Sequence, residues 1–287
     1  MVVAITGAGK GLGRAYALYL AKLGAKVIVN NRRHAGETLS SADSVVAEIR
    51  DSGGNAVPEY SSVEDPIAGQ GLLETALESF GRIDALVANA GVSEGCTFHK
   101  QDLTAFRQVL DINLMGTVNV VHPIFSHMYD AGRGSIVVSS SVAGLYGEHG
   151  LPAYSTSKAA LLGLMYSLSS EGAAHGVRVN ALAPFASTQM TNKTMPPALD
   201  AKMQPDRVAP VVAWLISNEC TLNGETIITG AGKVSRARSG ETAPQNLPAG
   251  PDYDADALQA IWDTLEARTL DRNFRGALEQ FGKFIVD

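Results

Sequence analysis

Apolar residues recur along this chain in short runs set apart by longer amphipathic stretches. The runs are VVAIT from Val2, KVIVN from Lys26, NAVPEY from Asn55, DALVANAG from Asp84, GSIVVSS from Gly134, GVRVNALAP from Gly176 and GETIITG from Gly224. Short, rich in β-branched residues and bounded by glycine or polar residues, they predict seven strands. Between them, LGRAYALYLAKLG, ADSVVAEIRDSGG and AGQGLLETALESFG have helical spacing, and each reaches a glycine where a helix would stop. Strands alternating with helices predict βαβ units and a parallel sheet, and runs this continuously apolar need cover on both faces. The expected fold class is therefore α/β and doubly wound, with one domain over residues 1–232. After Gly232 the texture turns to SRARSGETAPQNLPAGPDYD and then to a helical pattern, ADALQAIWDTLEARTL. Residues 233–287 are accordingly expected to form a linker and a C-terminal helical extension packed on the domain.

Composition narrows the classes of partner. A chain of 287 residues that is 45% apolar can bury a sizeable core. With 23 basic and 29 acidic residues and no dense basic cluster, it lacks the footprint of a nucleic-acid binder. Cys96 and Cys220 lie far apart without metal-ligand spacing and read as reduced thiols, so neither a disulfide nor a metal site is expected. The N-terminus carries no charged leader, and no apolar run approaches the ~18 residues that cross a bilayer. A cytoplasmic protein with no membrane partner is expected.

The first strand runs into Thr6-Gly7-Ala8-Gly9-Lys10-Gly11-Leu12-Gly13 at the start of a helix. Such glycines let the backbone turn sharply and approach a pyrophosphate, which the helix N-terminus favours electrostatically. Further on, Tyr154 and Lys158 stand four residues apart, on one face of a helix, shortly after a strand that ends in Ser139-Ser140-Ser141. A phenol titrates near pKa ~10 and makes a poor base at neutral pH unless nearby positive charge favours phenolate, a charge that Lys158 can supply.

The Gly-x-x-x-Gly-x-Gly turn, the ANAG stretch from Ala88 to Gly91, Asn113 in INLMG, and Ser141, Tyr154 and Lys158 together resemble the short-chain dehydrogenase/reductase family. Ala88 departs from the family's usual asparagine. The resemblance implies a Rossmann-type three-layer sandwich with a seven-stranded parallel sheet. It also implies an NAD(P)-dependent enzyme interconverting a secondary alcohol and a ketone. Tyr154 would exchange the proton, Ser141 would hydrogen-bond the reacting oxygen, Lys158 would bind the nicotinamide ribose, and Asn113 would hold a water relaying protons to Lys158. Beyond Tyr154 and Lys158, the implied cofactor contacts are Gly7, Lys10, Gly11, Leu12, Gly13, Asn31, Arg32, Val63, Asn89, Ala90, Gly91, Pro184 and Thr188.

The second strand ends in Asn30-Asn31-Arg32-Arg33, without the aspartate that NAD-preferring relatives place at Asn31. With that carboxylate missing and with Arg32 and Lys10 nearby, NADP(H) is favoured over NAD(H), because a guanidinium makes paired, charge-assisted hydrogen bonds to phosphate. Ser61 stands near the place of a family aspartate that contacts adenine. The later stretches APFASTQMT, LDAKMQPDRVAPVVAWLISNEC and NGETIITGAGKVSRAR resemble the (3R)-hydroxyacyl-CoA dehydrogenase part of peroxisomal multifunctional enzymes. Phe185 and Asn31 depart from that subgroup's pattern, and no hydratase domain is expected to follow.

The substrate expected is therefore a 3-hydroxyacyl-CoA or similarly bulky apolar alcohol, with a hydroxysteroid or another secondary alcohol as the alternative. Ser141, Tyr154, Phe185 and Met190 are expected to contact it, Met195 to help form an apolar lid, and Lys193, Lys202 and Arg207 to face the CoA phosphates. A non-catalytic nucleotide sensor is disfavoured because Asn113, Ser141, Tyr154 and Lys158 are all kept. A sugar-nucleotide epimerase or dehydratase is disfavoured by the glycine spacing. Small residues Ala159, Ala160 and Gly163 beyond Lys158 permit close helix packing, and with the family resemblance they imply a homodimer or homotetramer.

Overall fold

A computed structural model describes residues 1–33, 36, 39–188, 196–247, 255–274 and 277–284. Met190, Lys193 and Met195 lie outside the described residues. The chain divides into two compact units, Met1–Arg236 and Ala237–Asp287.

The first unit is built on one sheet in the order β3-β2-β1-β4-β5-β6-β7-β8. Its strands are β1 (Val2–Ile5), β2 (Lys26–Asn30), β3 (Asn55–Glu59), β4 (Ala85–Ala88), β5 (Gly134–Ser139), β6 (Val177–Pro184), β7 (Thr226–Gly230) and β8 (Lys233–Ala237). β1 to β7 are parallel throughout. Each of the seven expected runs supplies one of them, and the eighth strand is additional. β8 joins β7 through Ala231-Gly232, both with positive φ (51° and 74°), the backbone of a two-residue hairpin turn. It reads as linker in the sequence because four of its five residues are exposed, so its polar residues show no alternation. The opposite edge strand, β3, contains Pro58, which cannot donate to a further strand.

Alternation along the strands sorts the core into two layers. In β1, Val3 and Ile5 face a cluster with Tyr16, Leu20, Ile49 and Leu215, from α1 (Gly11–Lys22), α2 (Ser41–Asp51) and α9 (Ala209–Ile216). Val2 and Ala4 face the other layer, with Leu72, Ile124 and Met165 from α3 (Ala68–Phe80), α5 (Gly116–Asp130) and α7 (Pro152–Gly172). Both faces are thereby covered, as strands apolar on both sides require. Each fully buried large side chain contributes roughly 1.5–3 kcal/mol of transfer free energy. α4 (Leu103–Leu110) passes into α5 through a π-helical turn, Asp111–Met115, and the short helices α6 (Val142–Tyr146) and α8 (Pro197–Asp200) lie in loops after β5 and β6.

The glycine stops read from the sequence hold. Gly81 follows α3 at φ 74°, and Gly24 and Gly53 follow α1 and α2 at 86° and 82°. α2 begins at a capping box in which Ser40 and Asp43 satisfy each other's backbone N–H groups.

The second unit contains α10 (Ala255–Glu266) and α11 (Ala277–Phe284). Reciprocal backbone bonds between Glu241 and Arg272, at 3.0 and 3.1 Å, tie its ends, and Gln280 Nε2 donates to Glu241 Oε2 at 3.2 Å.

Candidate active site

The strand order reverses direction between β1 and β4, and the loops leaving their C-terminal ends separate to form a cleft of about 560 Å³. Thr6 holds the two walls together. Its hydroxyl accepts from Asn89 N at 2.9 Å and Ala90 N at 3.0 Å, while Asn89 Nδ2 returns a bond to Thr6 O at 3.1 Å. The glycine turn forms one wall. Gly7 and Gly11 take positive φ, 64° and 54°. A methyl group at Gly13 would sit 2.3 Å from Gly7 O, so this glycine lets α1 pack on the turn and does not itself line the cleft. Gly7, Lys10, Gly11, Leu12, Asn31, Arg32, Val63, Asn89, Ala90, Gly91, Pro184 and Thr188 all line it, as do Tyr154 and Lys158.

At the inner end, α7 carries Tyr154 and Lys158 against the end of β5. Lys158 is buried, and its Nζ donates to Ser139 O at 2.7 Å and lies 5.6 Å from the centre of the Tyr154 ring. Ser140, turned away from Ser139 by the strand's alternation, donates to Lys158 O at 2.8 Å and fixes the helix from behind. Gly144 in α6 makes this approach possible, since a methyl group there would lie 2.6 Å from the Lys158 carbonyl carbon. Ser141 caps α6 by accepting from Ala143 N at 3.1 Å, and its hydroxyl lies on the Tyr154 side, where it favours the ionised phenol.

Burial raises the Tyr154 phenol above its usual range, and only the Ser141 hydroxyl opposes it. The Lys158 ammonium stays 5.6 Å from the ring centre while it donates to Ser139 O. At neutral pH Tyr154 therefore holds its proton. Burial also lowers Lys158 from 10.5 to about 8, which leaves it mostly cationic at pH 7.

Asn113, fully buried in the π-helical turn, uses its side chain as a brace. Oδ1 accepts from Val92 N at 2.8 Å, and Nδ2 donates to Val92 O at 2.9 Å and Ser157 Oγ at 3.0 Å. This joins the loop after β4 to α7, one turn from Tyr154.

At the outer end, Asn31 Nδ2 donates to Ser41 Oγ at 2.9 Å, and Arg32 meets Glu64 at 3.2 Å in an exposed pair. Sequence reasoning missed the network beneath them. The buried Glu59 carboxylate accepts from Asn30 Nδ2 and Ser61 Oγ, both at 2.5 Å, and from Ser61 N at 2.9 Å. Asn30 and Glu59 are partners in the β2–β3 register, a pairing that became visible only once the strands were aligned.

Phe185, expected to contact substrate, directly follows β6. It is 41% exposed and not among the residues lining the cleft. Its backbone N–H continues the sheet to Thr229 O at 2.7 Å, and its Cβ packs where Gly230 has no side chain. The next residues do reach the cleft. Thr188 lies over Gly11, and Ser187 donates to Asp200, holding the loop to α8. Lys202 and Arg207 lie beyond that loop and do not line the cleft. Among the described residues, no group of acidic, His or Cys side chains is placed to hold a metal, and no helix is long and apolar enough to cross a membrane.

Residues 1–198 match the family model for short chain dehydrogenases. The chain belongs to this family. A short-chain type dehydrogenase/reductase of Mycobacterium tuberculosis is 42% identical over 239 residues, which cover 82% of this chain and 84% of that protein. The peroxisomal multifunctional enzyme type 2 of Mus musculus is 38% identical over 294 residues, covering 98% of this chain and 40% of the mouse protein. The chain thus spans less than half of that relative. Among solved structures, a short chain dehydrogenase from Mycobacterium avium aligns with a TM-score of 0.82 at 35% identity, covering 93% of this chain and 95% of that one. The peroxisomal multifunctional enzyme type 2 of Drosophila melanogaster aligns with a TM-score of 0.83 at 30% identity, covering 99% of this chain and 48% of that one.

As a short-chain dehydrogenase, the chain is an NAD(P)-dependent oxidoreductase. The cleft suits such a cofactor. The bare backbone at Gly7 and Gly11 leaves room for a pyrophosphate beside the N-terminus of α1, and Gly91 lets the loop after β4 pack against Asn113, whose Oδ1 would lie 3.0 Å from a methyl group there.

The buried lysine makes stability depend on pH. Below pH 8 folded and unfolded chains both carry the Lys158 proton, and the folded state bears the full cost of the buried charge. Between about 8 and 10.5 the folded chain releases that proton while the unfolded chain keeps it, so stability rises with pH across this window. Denaturant titrations at pH 7 and pH 10 should show the wild type gaining up to about 3 kcal/mol relative to Lys158→Met. An unchanged difference would contradict the burial of the charge.

Proposed function

We propose that the chain interconverts a secondary alcohol and a ketone on a 3-hydroxyacyl thioester, a 3-hydroxyacyl-CoA, with NADP(H) as the preferred nucleotide. The observation that carries this reading is Tyr154 at the inner end of the cleft, four residues from a buried lysine whose Nζ lies 5.6 Å from its ring centre. When bound, a nicotinamide nucleotide supplies or accepts the hydride. Tyr154 gives the ketone oxygen its proton in reduction and takes it back in oxidation. Ser141 holds the reacting oxygen beside Tyr154. Lys158 keeps positive charge next to the phenol, so a developing phenolate is stabilised within a desolvated pocket. Asn113 acts as a positioning residue through Val92 and Ser157.

The relatives' names support the thioester. Beside the peroxisomal multifunctional enzymes, a 3-oxoacyl-[acyl-carrier-protein] reductase of Synechocystis is 35% identical over 242 residues, covering 81% of this chain and 96% of that protein. A 3-oxoacyl thioester is the ketone form of the proposed substrate. A cyclic secondary alcohol, including a hydroxysteroid, is the second reading, favoured by a cis-4-hydroxycyclohexanecarboxylate dehydrogenase that is 35% identical over 229 residues. The free thiols of Cys96 and Cys220 suit a cytoplasmic enzyme.

The preference for NADP(H) rests on Lys10 and Arg32, which line the outer end, and on Asn31 in place of a carboxylate. Glu64 holds Arg32 only through an exposed pair, an interaction worth little that a ribose phosphate can displace. Assembly as a homodimer or homotetramer is supported by α7, whose outer face exposes Ala159, Gly163 and Tyr166, with open space around Gly163.

Three outcomes are expected. Purified enzyme with a medium-chain (3R)-hydroxyacyl-CoA should change absorbance at nicotinamide wavelengths. Tyr154→Phe should lower kcat by roughly 10²- to 10⁴-fold while nucleotide Kd stays within a few-fold; retained turnover would remove Tyr154 from the chemistry. Arg32→Ala should weaken NADPH binding about 10-fold or more and leave NADH nearly unchanged, whereas equal losses would argue against a phosphate contact. For assembly, a light-scattering mass of 30.1 kDa, that of one chain, would rule out the oligomer.

A further inference from the structure

At the other end of the sheet, a strand length from the cleft, a second cavity of about 340 Å³ opens among the loops that lead into β4, β5 and β6. Three arginines from three separate elements line it: Arg82 after α3, Arg133 before β5 and Arg178 within β6. Its only acid among the lining residues is Asp84, which already has its partners. Asp84 Oδ1 accepts from Arg82 Nε at 2.8 Å and lies 2.6 Å from Nη2, and Oδ2 accepts from Val2 N at 2.8 Å.

Arg178 is fixed by two carbonyls at the end of α9, Leu215 O at 3.1 Å and Ser217 O at 2.8 Å. Those bonds leave about three of its five N–H groups for another acceptor. The Arg133 side chain has no hydrogen bond or ion pair among the described residues. Its loop is nevertheless held by backbone contacts. Gly134 N donates to Gly176 O at 3.2 Å, and Gly176, at φ 67°, comes so close that a methyl group on it would lie 2.5 Å from Gly132 O. The loops before β5 and β6 are thereby locked together, and the guanidinium groups are gathered by a fixed backbone. Ser135, buried at the floor, and Asn218, exposed at the rim, add polar groups.

Three guanidinium groups against one carboxylate give the lining side chains an excess of two positive charges, in a chain whose formal net charge is -6. Like charges gathered on a rigid scaffold repel one another until an anion joins them, and planar guanidinium forks match the oxygens of a phosphate. We propose that this cavity is a phosphate-binding site separate from the nucleotide cleft, with Arg133 and Arg178 as its donors and Arg82, turned to Asp84, completing the positive wall. A dianionic phosphate group balances the excess charge and fits the cavity, whether it arrives as the free ion or as the head of a phosphate ester.

The test uses the full chain carrying Lys10→Ala and Arg32→Ala, so that the cations of the nucleotide cleft do not contribute. Inorganic phosphate and glycerol 3-phosphate are titrated at constant ionic strength, with calorimetry and thermal unfolding as readouts. Saturable binding accompanied by a rise in Tm is expected. Adding Arg133→Glu should raise the Kd roughly 10-fold or more, and Arg133→Lys should recover part of the loss. Arg133 is exposed and carries no structural bond, so these variants keep the fold. Binding of both ligands marks a site open to esters, and binding of the free ion alone marks a closed one; either supports the proposal. A phosphate response no larger than that to chloride, or saturable binding indifferent to Arg133→Glu, would overturn it.

Discussion

The site depends on one topological constraint. β1 and β4 are parallel neighbours, yet the chain leaves β1 towards β2 and leaves β4 towards β5, so their loops must diverge. A gap opened by topology costs hydrogen bonds at its floor, and here Thr6 restores them by accepting two backbone N–H groups from the far loop. Thr6 therefore sets the width of the floor. The glycine turn, Asn89 and Gly91 are arranged around a distance that this one side chain fixes.

A second dependence runs through Asn113. A π-helical turn spreads the backbone between α4 and α5 and points this amide at Val92 and Ser157. Val92 belongs to the cleft wall and Ser157 to the helix that carries Tyr154. The wall and the reactive helix are thus referenced to the same amide, and Ser140 secures the helix from its other side. With the backbone held at both ends, Lys158 can remain buried although burial opposes its charge. The lysine is kept in place by its surroundings at a cost to stability, as reactive groups often are.

Much of this was legible in the sequence because it rests on local pattern. The seven buried strands announce themselves as apolar runs, and the glycine turn and the Tyr154–Lys158 pair each occupy a few consecutive residues. What escaped depends on distance or on exposure. Glu59 looks like an ordinary strand-end acid until register sets it opposite Asn30. β8 has no buried face and so no period to read. Arg82, Arg133 and Arg178 are scattered over almost a hundred positions, and only the parallel sheet brings their loops to one end.

The two edges of the sheet carry a further consequence. β3 presents Pro58, which lacks a backbone donor, and β8 presents Lys233 and Arg236, the latter paired with Glu225. An incoming strand would meet a missing hydrogen bond at one border and fixed charge at the other, both of which disfavour edge-to-edge pairing. Sheets of separate molecules are therefore kept from fusing into a continuous ribbon. The borders of the sheet are thus closed to any partner that would extend it strand by strand.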